Sequence, residues 1–95
     1  MTTAMATVVF VYEAMRPINY EAFAQWLFYV TPNLKRDSYF GYYFENRVLA
    51  VIEIDLGVSR ETAEQLLNNA VRLGLVRKSH VNCEGYHYEP QVAKP

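Results

Sequence analysis

Asn46-Arg47-Val48-Leu49-Ala50-Val51-Ile52-Glu53-Ile54-Asp55-Leu56 fits two different backbones. Wound at about 100° per residue, with Asn46 as N-cap, the segment gathers Val48, Val51, Ile52 and Leu56 on one side of a helix. Extended from Val48 to Ile54, it is a strand dense in β-branched residues, and Glu53 and Asp55 then share a face as paired carboxylates. The helical reading orders the chain as helix, strand, helix, turn, helix and two-stranded hairpin. The extended reading orders it as βαββαβ.

Downstream, Leu56-Gly57-Val58-Ser59-Arg60-Glu61-Thr62-Ala63 runs into Glu64-Gln65-Leu66-Leu67-Asn68-Asn69-Ala70-Val71-Arg72-Leu73 and then Gly74-Leu75-Val76. This predicts a turn, a capped helix, a glycine stop and a strand. The Ser59 hydroxyl can accept from an open N–H of the first turn, and Gly74 can take the left-handed conformation that ends a helix. Thr62, Ala63, Leu66, Leu67, Ala70 and Leu73 fall on one side of that helix, the expected core side. Glu61, Glu64, Gln65, Asn68 and Arg72 fall on the other, with Arg60 and Asn69 at its margins. Beyond it, Leu75 to Val81 reads as a strand, Asn82-Cys83-Glu84-Gly85 as a turn and Tyr86-His87-Tyr88 as the returning strand.

Upstream, Asn19 is placed to cap a helix from Tyr20 to about Val30, with Phe23, Trp26, Leu27 and Val30 at core spacing and Thr31-Pro32 ending it. Asn33 to Asp37 reads as a polar loop carrying Lys35 and Arg36. Ser38 to Glu45 holds Tyr39, Phe40, Tyr42, Tyr43 and Phe44 around Gly41, a composition that predicts a strand. Thr7 to Tyr12 also leans toward a strand, although a short helix ending before Pro17 fits its spacing. Residues 1–95 read as one domain, with Pro90 to Pro95 expected to fray.

The turn and helix start at Leu56 to Ala63, with the exit at Gly74-Leu75-Val76 into a hairpin, resemble the winged helix-turn-helix family over about residues 19–89. The resemblance implies an α+β fold of helix, strand, two helices and a two-stranded wing, in a homodimeric DNA-binding transcriptional regulator whose 59–73 helix reads the major groove. The extended reading of residues 46–56 resembles instead a ferredoxin-like split βαβ domain. Within the helical reading there are two departures. Glu53 stands where such motifs usually carry a small residue, and Ile54 where a polar one is expected.

A net charge of −1 over 95 residues argues against a generally basic nucleic-acid binder, so DNA contact must come from local charge. For the groove, Gln65, Asn68 and Asn69 offer amide edges suited to adenine, and Arg60 and Arg72 can reach guanine or phosphate. Arg77 and Lys78 on the wing, with Lys35, are the expected phosphate contacts. Glu61 and Glu64 repel the backbone, and an ordinary solvated helix face is the competing account.

A second function follows from the aromatics, which make up 15% of the chain and include eight tyrosines. Tyr39, Phe40, Tyr42, Tyr43 and Phe44, with Tyr20, Phe28 and Tyr29, exceed what a small core can hold. Tyr39, Tyr42, Tyr43 and Phe44 are therefore expected at a protein interface, most simply a symmetric homodimer. On this reading the chain is an interaction module that touches no nucleic acid.

Other chemistry finds little support. A single cysteine, Cys83, fits a reducing compartment, so a cytoplasmic protein is expected. The apolar run from Ala6 to Tyr12 is far shorter than the ~20 residues that span a bilayer, so no membrane partner is expected. His80, Cys83 and His87 match no zinc spacing, no nucleophile stands beside a base and orienter, and no glycine-rich loop offers a phosphate cradle. No metal, no cofactor and no enzymatic activity are expected.

Overall fold

In the computed structural model of the chain, which describes residues 18–39, 41–80 and 85–95, the first helix begins where the Asn19 side chain accepts from the Ala22 N–H at 3.0 Å. The helix (α1) is α-helical over Tyr20–Gln25 and widens into a π turn over Trp26–Val30. Its last bond runs from the Thr31 N–H to the Trp26 carbonyl, and Thr31 is extended at ψ 132°, as a residue before proline must be. Phe23, Ala24, Leu27 and Phe28 are its buried side. Val30, expected in the core, is 57% exposed because the π turn rotates it outward.

The expected aromatic strand shortens to Tyr43–Phe44 (β1). Asp37 is the cause: its carboxylate accepts from the Tyr39 N–H at 2.9 Å and its carbonyl from the Gly41 N–H at 2.8 Å, folding the preceding residues into a turn.

Residues 45–56 are helical (α2, Glu45–Leu56), beginning one residue before the expected Asn46 cap. Val48 and Leu49 are both buried, as are Val51, Ile52 and Leu56, while Ile54 is 77% exposed. In a strand Ile52 and Ile54 would share a face, whereas burial of Val48, Leu49, Val51, Ile52 and Leu56 with Ile54 turned out follows the helical period, so the β-branched composition yields to a core that wants a helical face. The βαββαβ order is thereby excluded for the described residues. Gly57 ends α2 at φ 67°, with the Val58 N–H returning to the Glu53 carbonyl at 3.1 Å.

Ser59 then caps the third helix (α3, Arg60–Arg72), accepting from the Thr62 N–H at 3.1 Å. Ala63, Leu66, Leu67 and Ala70 are buried as the periodicity predicts, and Leu73 is exposed because the helix has stopped at Arg72. Gly74 follows at φ 81°, and the Leu75 N–H closes on the Ala70 carbonyl at 3.0 Å.

Val76–His80 (β2) and Tyr86–Pro90 (β3) pair antiparallel, with Val76 opposite Pro90 and His80 opposite Tyr86. β1 joins the other edge of β3, with Tyr43 opposite Tyr88, so the sheet order is β1-β3-β2. The described residues are thus α+β, three helices against a three-stranded antiparallel sheet, an arrangement compatible with a winged helix. Leu27, Val48, Ile52, Leu56, Leu67, Val76 and Tyr88 form its fully buried centre. Residues 90–95, expected to fray, carry contacts to α1: Val92 is buried, the Tyr29 hydroxyl donates to its carbonyl at 3.1 Å, and Gln25 Nε2 donates to the Ala93 carbonyl at 3.0 Å. The apolar Val92 side chain and these two bonds hold the tail on α1. The expected strand at residues 7–12 and most of the 82–85 turn lie outside the described residues.

Candidate nucleic-acid interface

The turn Gly57 to Ser59 sets α3 against α2 with Ala63, Leu66, Leu67 and Ala70 inward, which leaves the polar side of α3 facing water. Glu61, Glu64, Gln65, Asn68 and Arg72 are exposed and Asn69 is half-buried. Gln65 and Asn68 spend no side-chain hydrogen bond on any described residue, so their amide edges remain available to a ligand.

The other expected readers are engaged inside the chain. Arg60 Nε lies 2.5 Å from Glu53 Oε2, off the N–H axis, so the contact is a charge pair rather than an aligned hydrogen bond. Asn69 donates from Nδ2 to the Tyr20 hydroxyl at 2.9 Å and accepts on Oδ1 from Arg72 at 2.7 Å. This relay ties Arg72 to α1 through Asn69. Asn69 therefore orients a neighbour instead of presenting its amide outward.

On the hairpin, Arg77 and Lys78 are exposed, and the Lys78 ammonium sits 4.1 Å from the centre of the Tyr86 ring. His80 meets the same ring edge-on. Arg36, the neighbour of Lys35, is a structural residue: it donates to the Gly41 carbonyl, lies over the Tyr43 ring and faces Glu89 at 3.6 Å. Lys35 is exposed and lines a groove with Arg47, a residue that the sequence reading passed over because it is a lone cation inside an apolar run.

The tyrosine cluster divides. Tyr43 is buried at 8% exposure, with its ring 5.1 Å from Phe28 and its backbone paired to Tyr88, so the expected interface loses it to the core. The cause is the pleat of β1, which turns Tyr43 inward and Phe44 away. Tyr42 stacks on His87 at 3.6 Å and Phe44 packs edge-on to Tyr42. Tyr39 is 86% exposed. Tyr20 and Tyr29, half-buried against the core, absorb more of the expected surplus.

Tyr88 is the buried polar group that periodicity could not reveal. Its hydroxyl donates to Glu45 Oε2 at 3.4 Å, and burial first, then the Glu45 carboxylate, raise its pKa well above the usual tyrosine range. It is a neutral donor at any physiological pH, pinning β3 to the start of α2. Glu53 and Asp55, which a strand would place side by side, diverge on α2. Glu53 turns to Arg60, and Asp55 accepts from Thr31 and Asn33.

No protein-family model, curated relative or solved structure matches the chain. Among the described residues no group of three histidine, cysteine or acidic side chains is placed to hold a metal, and Cys83 is outside them. No described helix is long and apolar enough to cross a membrane.

Proposed function

We propose that the chain is a small winged-helix DNA-binding regulator that lays α3 in the major groove and holds the flanking phosphates with its β2–β3 hairpin. The observation that carries this reading is the capped α3 packed on α2 across the Gly57 turn, with Gln65 and Asn68 presented outward and unspent. Arg60 and Arg72 stand at the two ends of that face, and Arg77 and Lys78 are exposed on the strand that follows. Amides in the middle of a helix with cations beyond them suit base edges flanked by phosphates. Glu61 and Glu64 narrow the choice, because they favour sites where they meet cytosine amino groups and disfavour binding without sequence preference. Two copies on a palindromic site would double the few cations, which a chain of net charge −1 needs.

The test is fluorescence anisotropy against a panel of duplexes at low salt. Binding by the intact chain, weakened about tenfold or more in the double variant Gln65→Ala, Asn68→Ala, is the expected result. A chain that binds no duplex, or a double variant that binds as well as the parent, overturns the proposal.

A further inference from the structure

The outer side of α2 carries a groove that DNA reading by α3 does not use. Its floor is Ala50, Val51 and Ile54, its volume is about 410 Å³, and Asn33, Lys35, Arg47 and Asp55 stand around it. Ile54 is 77% exposed, and with Ala50 and Val51 it makes a continuous apolar stripe on one helix face. The charged groups around that stripe are not equivalent. Asp55 is satisfied within the chain: Thr31 Oγ1 donates to it at 2.7 Å, and Asn33 Nδ2 donates to both of its oxygens at 3.1 Å. Lys35 and Arg47 make no ion pair or hydrogen bond with any described residue.

We infer that this groove docks an acidic amphipathic helix of a partner protein, which seats an apolar side chain on Ala50, Val51 and Ile54 and sets carboxylates against Lys35 and Arg47. The stripe from Arg47 to Ile54 covers two turns of α2, roughly 10 Å at ~1.5 Å per residue, a length that a short helix matches. Ala50 at its middle has a side chain small enough for close approach of a second helix. Cations that no described residue pairs, beside an apolar floor, select carboxylates, since a neutral or basic partner would desolvate Lys35 and Arg47 without replacing the lost water.

The experiment is an amide chemical-shift titration of the ¹⁵N-labelled full chain with a synthetic helical peptide carrying leucines flanked by glutamates, and with the same peptide bearing lysine at each glutamate. Saturable shifts at Lys35, Arg47, Ala50, Val51 and Ile54 with the acidic peptide and none with the basic one are expected. Lys35→Glu with Arg47→Glu is expected to weaken binding about tenfold or more, since charge pairs become like-charge contacts. Ile54→Glu should do the same. Each of these variants changes an exposed or groove-lining side chain, and unchanged circular dichroism will show that the fold is kept. Equal binding of the two peptides, shifts confined to other residues, or no saturation overturns the proposal. So does movement of the same amides by duplex DNA, which would make the two cations phosphate contacts, or a change in the sedimentation of the chain alone on Ile54→Glu, which would make the face a self-interface.

Discussion

Arg60 and Glu53 meet across the turn between α2 and α3, the guanidinium Nε 2.5 Å from a carboxylate oxygen. The pair locks the first residue of α3 to the last turn of α2, and it engages the cation at the start of the outward side of α3 that the proposed function lays on DNA. Glu53→Gln should release Arg60. Duplex affinity should then rise, and the slope of log affinity against log salt should steepen by about one, the signature of one added phosphate contact. With both side chains partly exposed, the stability change should stay within about 1 kcal/mol. Anisotropy at several salt concentrations checks the first expectation and thermal melting the second. An unchanged salt slope would show that Arg60 contributes nothing to DNA even when it is released.

Ser59 holds the same junction from the backbone side. Its hydroxyl satisfies the Thr62 N–H, and Ser59→Ala leaves that donor to water. The expected loss is about 1 kcal/mol, and for a domain of this size a melting temperature lower by roughly 4–8 °C. Calorimetry of the two proteins measures it.

The local signals that mark α3 were legible because cap and stop lie within one or two residues of its ends: Ser59 before it, Gly74 after it. α2 was not, since Val48, Val51, Ile52 and Ile54 suit a strand as well as a helix, and only the burial of Val48, Leu49, Val51, Ile52 and Leu56 by other elements, with Ile54 turned out, separates the two. The site shows the same division. The outward set Gln65 and Asn68 follows from helical spacing alone. The engagement of Arg60 by Glu53 and of Asn69 by Tyr20 depends on how α3 crosses α2 and α1, a relation that no periodicity carries. Tyr43 was misplaced because Asp37 folds the preceding residues into a turn, which leaves a two-residue strand too short for its inward face to be read.

Tyr43 and Tyr39 separate core from surface among the clustered aromatics. Tyr43→Ala empties a site packed against Phe28 and should cost about 3–5 kcal/mol, as large aromatic truncations in cores do. Tyr39→Ala, at an 86% exposed position, should change stability by no more than about 0.5 kcal/mol. Urea denaturation of both variants is the check. A Tyr43→Ala protein as stable as the parent would contradict the placement.

The C-terminal tail offers a parallel comparison. If Val92 is held on α1 as the Tyr29 and Gln25 bonds indicate, Val92→Ala removes two methyl groups from the core at roughly 0.8 kcal/mol each. Tyr29→Phe should add a loss of about 1 kcal/mol by deleting one hydrogen bond. A tail that frays in solution would register neither change. Denaturation midpoints at constant m-value decide between the two.

Base readout and phosphate contact leave different marks, and Gln65, Asn68, Arg77 and Lys78 of the proposed interface sort accordingly. Gln65→Ala or Asn68→Ala should cost about 1–3 kcal/mol on the preferred duplex and little on an unrelated one, because an amide lost from a base edge removes discrimination. Arg77→Ala or Lys78→Ala should weaken all duplexes alike and flatten the salt slope by about one each. Lys78 should show the smaller effect of the two, since its ammonium already lies over the Tyr86 ring and must leave it to reach a phosphate. Anisotropy with one preferred and one unrelated duplex, each at several salt concentrations, reads both marks. Four variants that behave identically would mean that α3 and the hairpin meet DNA as undifferentiated charge, and a groove-reading role for Gln65 and Asn68 would have to be abandoned.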